Sequence, residues 1–80
     1  MIIIEKKHYQ EILSYSLEAL PNEACGLLGG DISHDIKTVK KVYLLTNVDH
    51  SPEHFSMDPK EQFNVIRDMR KNNWSLIGNF

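Results

Sequence analysis

The residues of this 80-residue sequence whose types could do chemistry are four histidines, one cysteine and a glutamate in an unusual setting. His50 and His54 lie four apart and would share one face of a helix. A catalytic zinc needs about three clustered Cys, His or carboxylate ligands plus water. Pro52 stands between the two histidines and no apolar periodicity surrounds them, so they read more simply as loop histidines near the surface. No His-Glu-x-x-His pattern is present. His8 falls on the wet side of the first helix and His34 in a turn. Cys25 could act as a nucleophile only with a base beside it and a lowered pKa; its neighbours Ala24, Leu27 and Leu28 favour a buried structural thiol. Gly26-Leu27-Leu28-Gly29-Gly30 lacks the Gly-Lys-Ser/Thr ending of a phosphate loop, and its glycines suit a tight turn. Arg67, Arg70 and Lys71 form a basic cluster that reads as a solvated helix face. Glu23 precedes an apolar strand and follows Pro21. It is either a general acid or base, with its pKa raised by its surroundings, or an exposed glutamate at a strand edge.

The elements that would position these residues follow from spacing. Tyr9, Ile12, Leu13, Leu17 and Leu20 form an apolar stripe that predicts a helix over 6–20, ended by Pro21. Ala24–Leu28 is a short buried strand leaving through Gly29-Gly30-Asp31. Residues 36–46 alternate as a strand, with Ile36, Thr38, Val42, Leu44 and Thr46 on one side and Val39, Lys41, Tyr43 and Leu45 on the other. The polar 31–35 between them is hairpin-like. Phe55 and Met57 have strand spacing over a very short run. Asp58 can cap a second helix with Pro59 at its first position and Glu61 completing a capping box. Phe63, Ile66 and Met69, with Val65, give that helix its buried side, Asn72 and Asn73 end it, and Trp74 joins Phe63 in the core. Residues 74–77 start a last strand. Ile2–Ile4 fit either a strand or a packed flank.

The order helix, strand, strand, short strand, helix, strand predicts an α/β fold, a mixed sheet flanked by helices. Composition bounds the class. Nine Lys and Arg against eleven Asp and Glu give a net charge of −2, with 41% apolar and 25% charged residues. A chain of this mass exposes about 5,000 Å² when compactly folded, so its core is thin. One cysteine cannot make an internal disulfide, which argues against a stapled secreted mini-protein. The longest apolar run, Met1–Ile4, is far short of a membrane span or signal sequence. Scattered basic residues argue against a nucleic-acid surface. A cytoplasmic protein is the expectation.

Three blocks together resemble the JAMM, or MPN-plus, zinc metalloproteases of the prokaryotic single-domain type. Pro21-Asn22-Glu23-Ala24-Cys25-Gly26-Leu27-Leu28-Gly29 is similar to that family's Pro-x-Glu-x-Cys-Gly-x-Leu-x-Gly stretch. Asn47, Pro52 and Phe55-Ser56-Met57-Asp58-Pro59 match its next block, and residues 74–80 look like the strand that leads to its His-Ser-His-Pro. The resemblance implies a cytidine-deaminase-like α/β fold and makes residues 1–80 the N-terminal portion of one domain, truncated after its last strand. It implies that Glu23 is the catalytic acid/base, which holds the zinc-bound water and passes its proton to the leaving amine. The zinc ligands, two histidines and an aspartate, would fall after Phe80, so the 80 residues alone are expected to bind no zinc and to hydrolyse nothing. The implied substrates are proteins with a ubiquitin-like or sulfur-carrier-like tail. The alternative is a non-catalytic binding or assembly module, self-associating through an exposed sheet edge at Leu76, Ile77 and Phe80, with Phe63 and Trp74 nearby.

Overall fold

The computed structural model describes residues 1–20, 24–48 and 56–80. In chain order these form β1 (Ile2–Ile3), α1 (Lys6–Ala19), β2 (Cys25–Ser33), β3 (Ile36–Leu45), α2 (Pro59–Lys71) and β4 (Ser75–Asn79). The strands make one mixed sheet in the order β1-β3-β2-β4. β2 and β3 are antiparallel from Cys25 opposite Leu45 to Ser33 opposite Ile36. β4 runs antiparallel to β2, and β1 runs parallel to β3 at Lys37 and Thr38. The expected α/β class is observed. The short strand expected near Met57 is a bridge between Asn47 and Met57; Phe55 lies outside the described residues.

Gly29 and Gly30 do not form a turn, as expected from the sequence, but lie inside β2. The turn falls at His34 and Asp35, and His34 adopts a φ of 54°. Left-handed backbone at a two-residue loop matches the twist of the flanking strands. The glycines are needed for close approach instead. A Cβ on Gly30 would overlap the Thr38 carbonyl oxygen, and one on Gly29 would lie 3.1 Å from both Met69 Cε and Tyr43 Cε2. β2 shifts register against β3 between Gly29 and Gly30, so Lys40 is the extra residue of a bulge. The bulge resets the alternation of β3. Past it, Tyr43 and Leu45 join the core under α2, whereas buried Val39 stays outside that cluster.

The core joins Cys25, Leu27, Tyr43 and Leu45 of the sheet to Val65 and Met69 of α2, with Met57, Ile66 and Trp74 at its margin. Phe63 was expected inside and is 63% exposed. Three residues fall about 60° short of a full helical turn, so the Phe63, Ile66, Met69 row drifts around α2 and only its later members face the sheet. Asp58 caps α2, accepting from the Lys60 amide at 2.9 Å, with Pro59 at the first position. Glu61 does not close a capping box. Its carboxylate accepts from the Thr46 amide at 2.7 Å and the Thr46 hydroxyl at 3.1 Å. The Asp58 amide donates to the Thr46 carbonyl at 3.4 Å instead. At the other end Trp74 donates to Met69 and Asn73 to Arg70, with Asn73 at a φ of 57°. This is the two-bond left-handed helix stop, and Trp74 beyond it packs against the core cluster that contains Met69.

α1 ends at Ala19 because Leu20, placed before Pro21, is extended with a ψ of 141°. Its expected stripe is not its buried face. Tyr9, Leu13, Leu17 and Leu20 are all at least half exposed, while His8, Ile12, Tyr15, Ser16 and Ala19 turn inward. His8, expected on the wet side, is buried, with Nδ1 3.1 Å from Glu11 Oε1. The apolar arc of α1 spans roughly 200° at about 100° per residue. The sheet beneath it is narrow: α1 rests chiefly on β3, and β1 adds only two residues beyond that strand. One wall covers half of the arc.

Two outcomes follow from the packing. Gly30→Ala should cost about 2 kcal/mol or more in urea denaturation, because backbone must move, while Gly78→Ala, whose Cβ would meet nothing within 4 Å, should be near neutral. Equal effects would contradict the bulge. The second concerns the clamp between α2 and β3, where the Asp68 carboxylate accepts from the Tyr43 hydroxyl at 2.7 Å and from Lys41 at 3.1 Å. These bonds hold the Asp68 pKa below the ordinary carboxylate value, the Tyr43 bond most. A lowered native pKa stabilises above the unfolded value and is lost as pH falls through the native one. Asp68→Asn should therefore be less stable than wild type at neutral pH, with the gap closing as pH falls below the ordinary carboxylate range. Tyr43→Phe should cost about 1 kcal/mol at neutral pH.

Candidate functional site

Glu23, the residue best suited by sequence to move a proton, lies outside the described residues, as do His50, Pro52 and His54. Both undescribed segments adjoin, in sequence, one end of the sheet. There Cys25 opens β2 opposite Leu45, the last residue of β3. Asn47, which continues past β3, is buried, and its Oδ1 accepts from the Ser56 amide at 3.1 Å. Val48 donates to the Ser56 carbonyl at 2.9 Å, and Gln62 of α2 donates to the Met57 carbonyl at 3.0 Å. The two flanks of residues 49–55 are therefore tied to each other and to α2.

The Leu45 carbonyl is a meeting point. It accepts the Tyr15 hydroxyl of α1 and the Cys25 thiol, the latter at 3.6 Å. Cys25 is fully buried, and burial foremost, then the Glu61 charge, pushes its pKa up. A thiol so held stays protonated, which agrees with a structural rather than a nucleophilic cysteine. Burial also raises the Tyr15 phenol, helped by Cys25, Glu61 and Glu18. Glu61 itself is occupied by the two Thr46 donors. Phe80 exchanges two backbone hydrogen bonds of 3.1 Å with Gly26, and its ring lies where a Gly26 Cβ would be.

This end of the sheet is thus a hydrogen-bonded frame in which Cys25 and Tyr15 are neutral and Glu61 carries the charge. Among the described residues no group of three or more His, Cys, Asp or Glu side chains could hold a metal ion. The zinc that the resemblance implies has no ligand set within them. His8 pairs with Glu11, and His34 lies in the hairpin turn, as the sequence suggested. The sequence reading missed two ties, Glu61 to Thr46 and Tyr15 to Leu45. The first was hidden because a glutamate three residues after Asp58 has an equally good local use; the second has no local signal. Among the described residues no helix is long and apolar enough to cross a membrane.

The profile described as prokaryotic homologues of the JAB domain matches residues 5–80. No curated protein matches the sequence. The solution structure of a protein from Desulfitobacterium hafniense is similar, with 56% identity and a TM-score of 0.91. That similarity covers 100% of this chain and 55% of the other, so the chain spans about half of that protein's length. With 76 of its 80 residues inside the family profile and its fold shared with a solved protein at this identity, the chain belongs to the prokaryotic homologues of the JAB domain.

Proposed function

We propose that these residues form the part of a zinc-dependent peptidase or isopeptidase domain that bears its acid/base glutamate, Glu23, with the zinc held by residues other than these 80. The observation that carries this reading is the family match across residues 5–80, which includes the Glu23-Ala24-Cys25-Gly26 block. Zinc, when bound in such a domain, polarises the scissile carbonyl and acidifies water. Glu23 would take the proton from that water and pass it to the leaving amine. The frame around Cys25, Leu45 and Thr46 would keep the strand that follows Glu23 in fixed register.

The substrate in this reading is the extended tail of a ubiquitin-like or sulfur-carrier-like protein in a cytoplasmic setting. Support comes from the outer edge of β3. β1 pairs with it only at Lys37 and Thr38, and no described strand lies beside it from there to Leu45, its last residue. A groove of about 440 Å³ follows this edge, lined by Tyr43, Leu44, Leu45, Glu61, Asn64 and Val65. An open edge offers backbone donors and acceptors to an extended peptide, which is recognition by strand addition.

A second reading, a non-catalytic assembly module, is favoured by β4. Its outer side has no described strand, and Leu76 is 50% exposed there. A second copy could pair along that edge.

The deciding experiment uses the longest natural protein that contains these residues. Zinc content and cleavage of an amide-linked ubiquitin-like tail are measured for the native protein and for Glu23→Gln. The expected result is a fall in kcat of about a hundredfold or more with zinc retained. The 80-residue chain alone should show neither zinc nor cleavage. Activity equal in both proteins would remove Glu23 from the mechanism. Absence of zinc and cleavage in the native protein, with concentration-dependent sedimentation of the chain, would establish the assembly reading.

A further inference from the structure

The outward side of α2 is segregated by charge. Lys60, Arg67, Arg70 and Lys71 are all exposed, and Phe63 is exposed among them. At about 100° per residue the five fall within roughly 100° of arc, opposite buried Val65 and Met69. Of the two carboxylates of the helix, Glu61 lies off this face, and Asp68 stands at its border, in a hollow shared with Asn64, Arg67 and Lys71. Asp68 is turned to Tyr43 and Lys41, and Glu61 is turned to Thr46. Among the described residues none of the four cations has an ion-pair partner within 4 Å, whereas Lys7, Lys40 and Lys41 elsewhere do. The Arg67 guanidinium stands 5.8 Å from the centre of the Phe63 ring.

A helix face that serves only solubility mixes both signs and shows few aromatic rings. This one has a single sign, opposite to the chain's net charge of −2, and presents a ring with an arginine stacked on it. Arginine and aromatic residues are those that dominate the centres of protein interfaces. A nucleic acid or an anionic membrane calls for a basic surface wider than four side chains, and Lys7, Lys40 and Lys41 beyond α2 stand beside carboxylates. A protein segment with acidic side chains around one apolar residue matches both the charges and the ring. We propose that the outer face of α2 is a docking surface for such an acidic protein segment, its apolar residue packed on Phe63. The proposal goes beyond the hydrolase reading and does not depend on it.

The probe is a short synthetic peptide rich in Glu and Asp with a central Leu, titrated into the ¹⁵N-labelled chain at low salt. Shift changes should centre on Lys60, Phe63, Arg67 and Lys71 and weaken as salt is added. Arg67→Glu combined with Lys71→Glu should weaken binding about tenfold or more. Phe63→Ala should weaken it less and leave the salt dependence intact. Reversing the α1 lysines, Lys6→Glu with Lys7→Glu, should leave binding unchanged. Retained spectra away from the substitutions establish that each variant is folded. Shifts that ignore α2, equal losses on reversing the α1 lysines, or tighter binding to phosphatidylserine vesicles or a single-stranded oligonucleotide would overturn the proposal.

Discussion

The β2–β3 ladder is the constraint on which the rest of the structure depends. It is the longest pairing in the sheet, and every other element is attached to it by a distinct interaction. β4 is accepted along β2, where Gly26 exchanges two hydrogen bonds with Phe80. α1 is pinned through the Tyr15 hydroxyl on the Leu45 carbonyl. α2 is pinned twice, through Asp68 on Tyr43 and through Glu61 on Thr46. Apart from the last of these, the anchors lie on β2 or β3 themselves, so loss of the ladder would release both helices together. Such a design suits a chain with a thin core, because few apolar contacts must be supplemented by directional bonds.

Those directional bonds also sort the charges. Each carboxylate of α2 that could have neutralised the helix surface is drawn toward β3. What remains outward is basic. The segregation on α2 is therefore a by-product of how the helix is fastened, and it gives a net-negative molecule one positive face. α1 is fastened differently, by a phenol rather than a carboxylate, and its outer side keeps Tyr9, Leu13 and Leu17 exposed beside charged and polar residues. The accessible surface of 5588 Å² exceeds the about 5,000 Å² of a compact chain of this mass.

The elements were legible from spacing because local chemistry fixed their limits. Pro21 set the end of α1, Asp58 and Pro59 set the start of α2, and Asn73 set its end. What misled was the assumption that an apolar position is a buried one. Tyr9, Leu13 and Leu17 satisfy helical periodicity as well as Ile12 does, and only the width of the sheet decides which of them are covered. Gly29 and Gly30 were misread for a related reason. Glycine marks both turns and close approaches, and no local rule distinguishes a bulge from a loop before the partner strand is known. Of the candidate site, the neutral character of Cys25 followed from its neighbours, while Glu23 rests on the resemblance to the family motif and lies outside the described residues. The frame at Leu45 and Thr46 was out of reach, because its hydrogen bonds join residues far apart in the sequence.

Gly26 has one more effect. Its missing side chain is the seat for the Phe80 ring, with a backbone bond on either side of the same residue pair. Its neighbours along β2, Cys25 and Leu27, both have side chains. If β4 slid along β2, that ring would meet a Cβ instead of an open space, and the ladder would lose its fit in either direction. The sheet thus holds a keyed joint: an absent atom, rather than an attractive contact, specifies which of several possible pairings β4 must adopt.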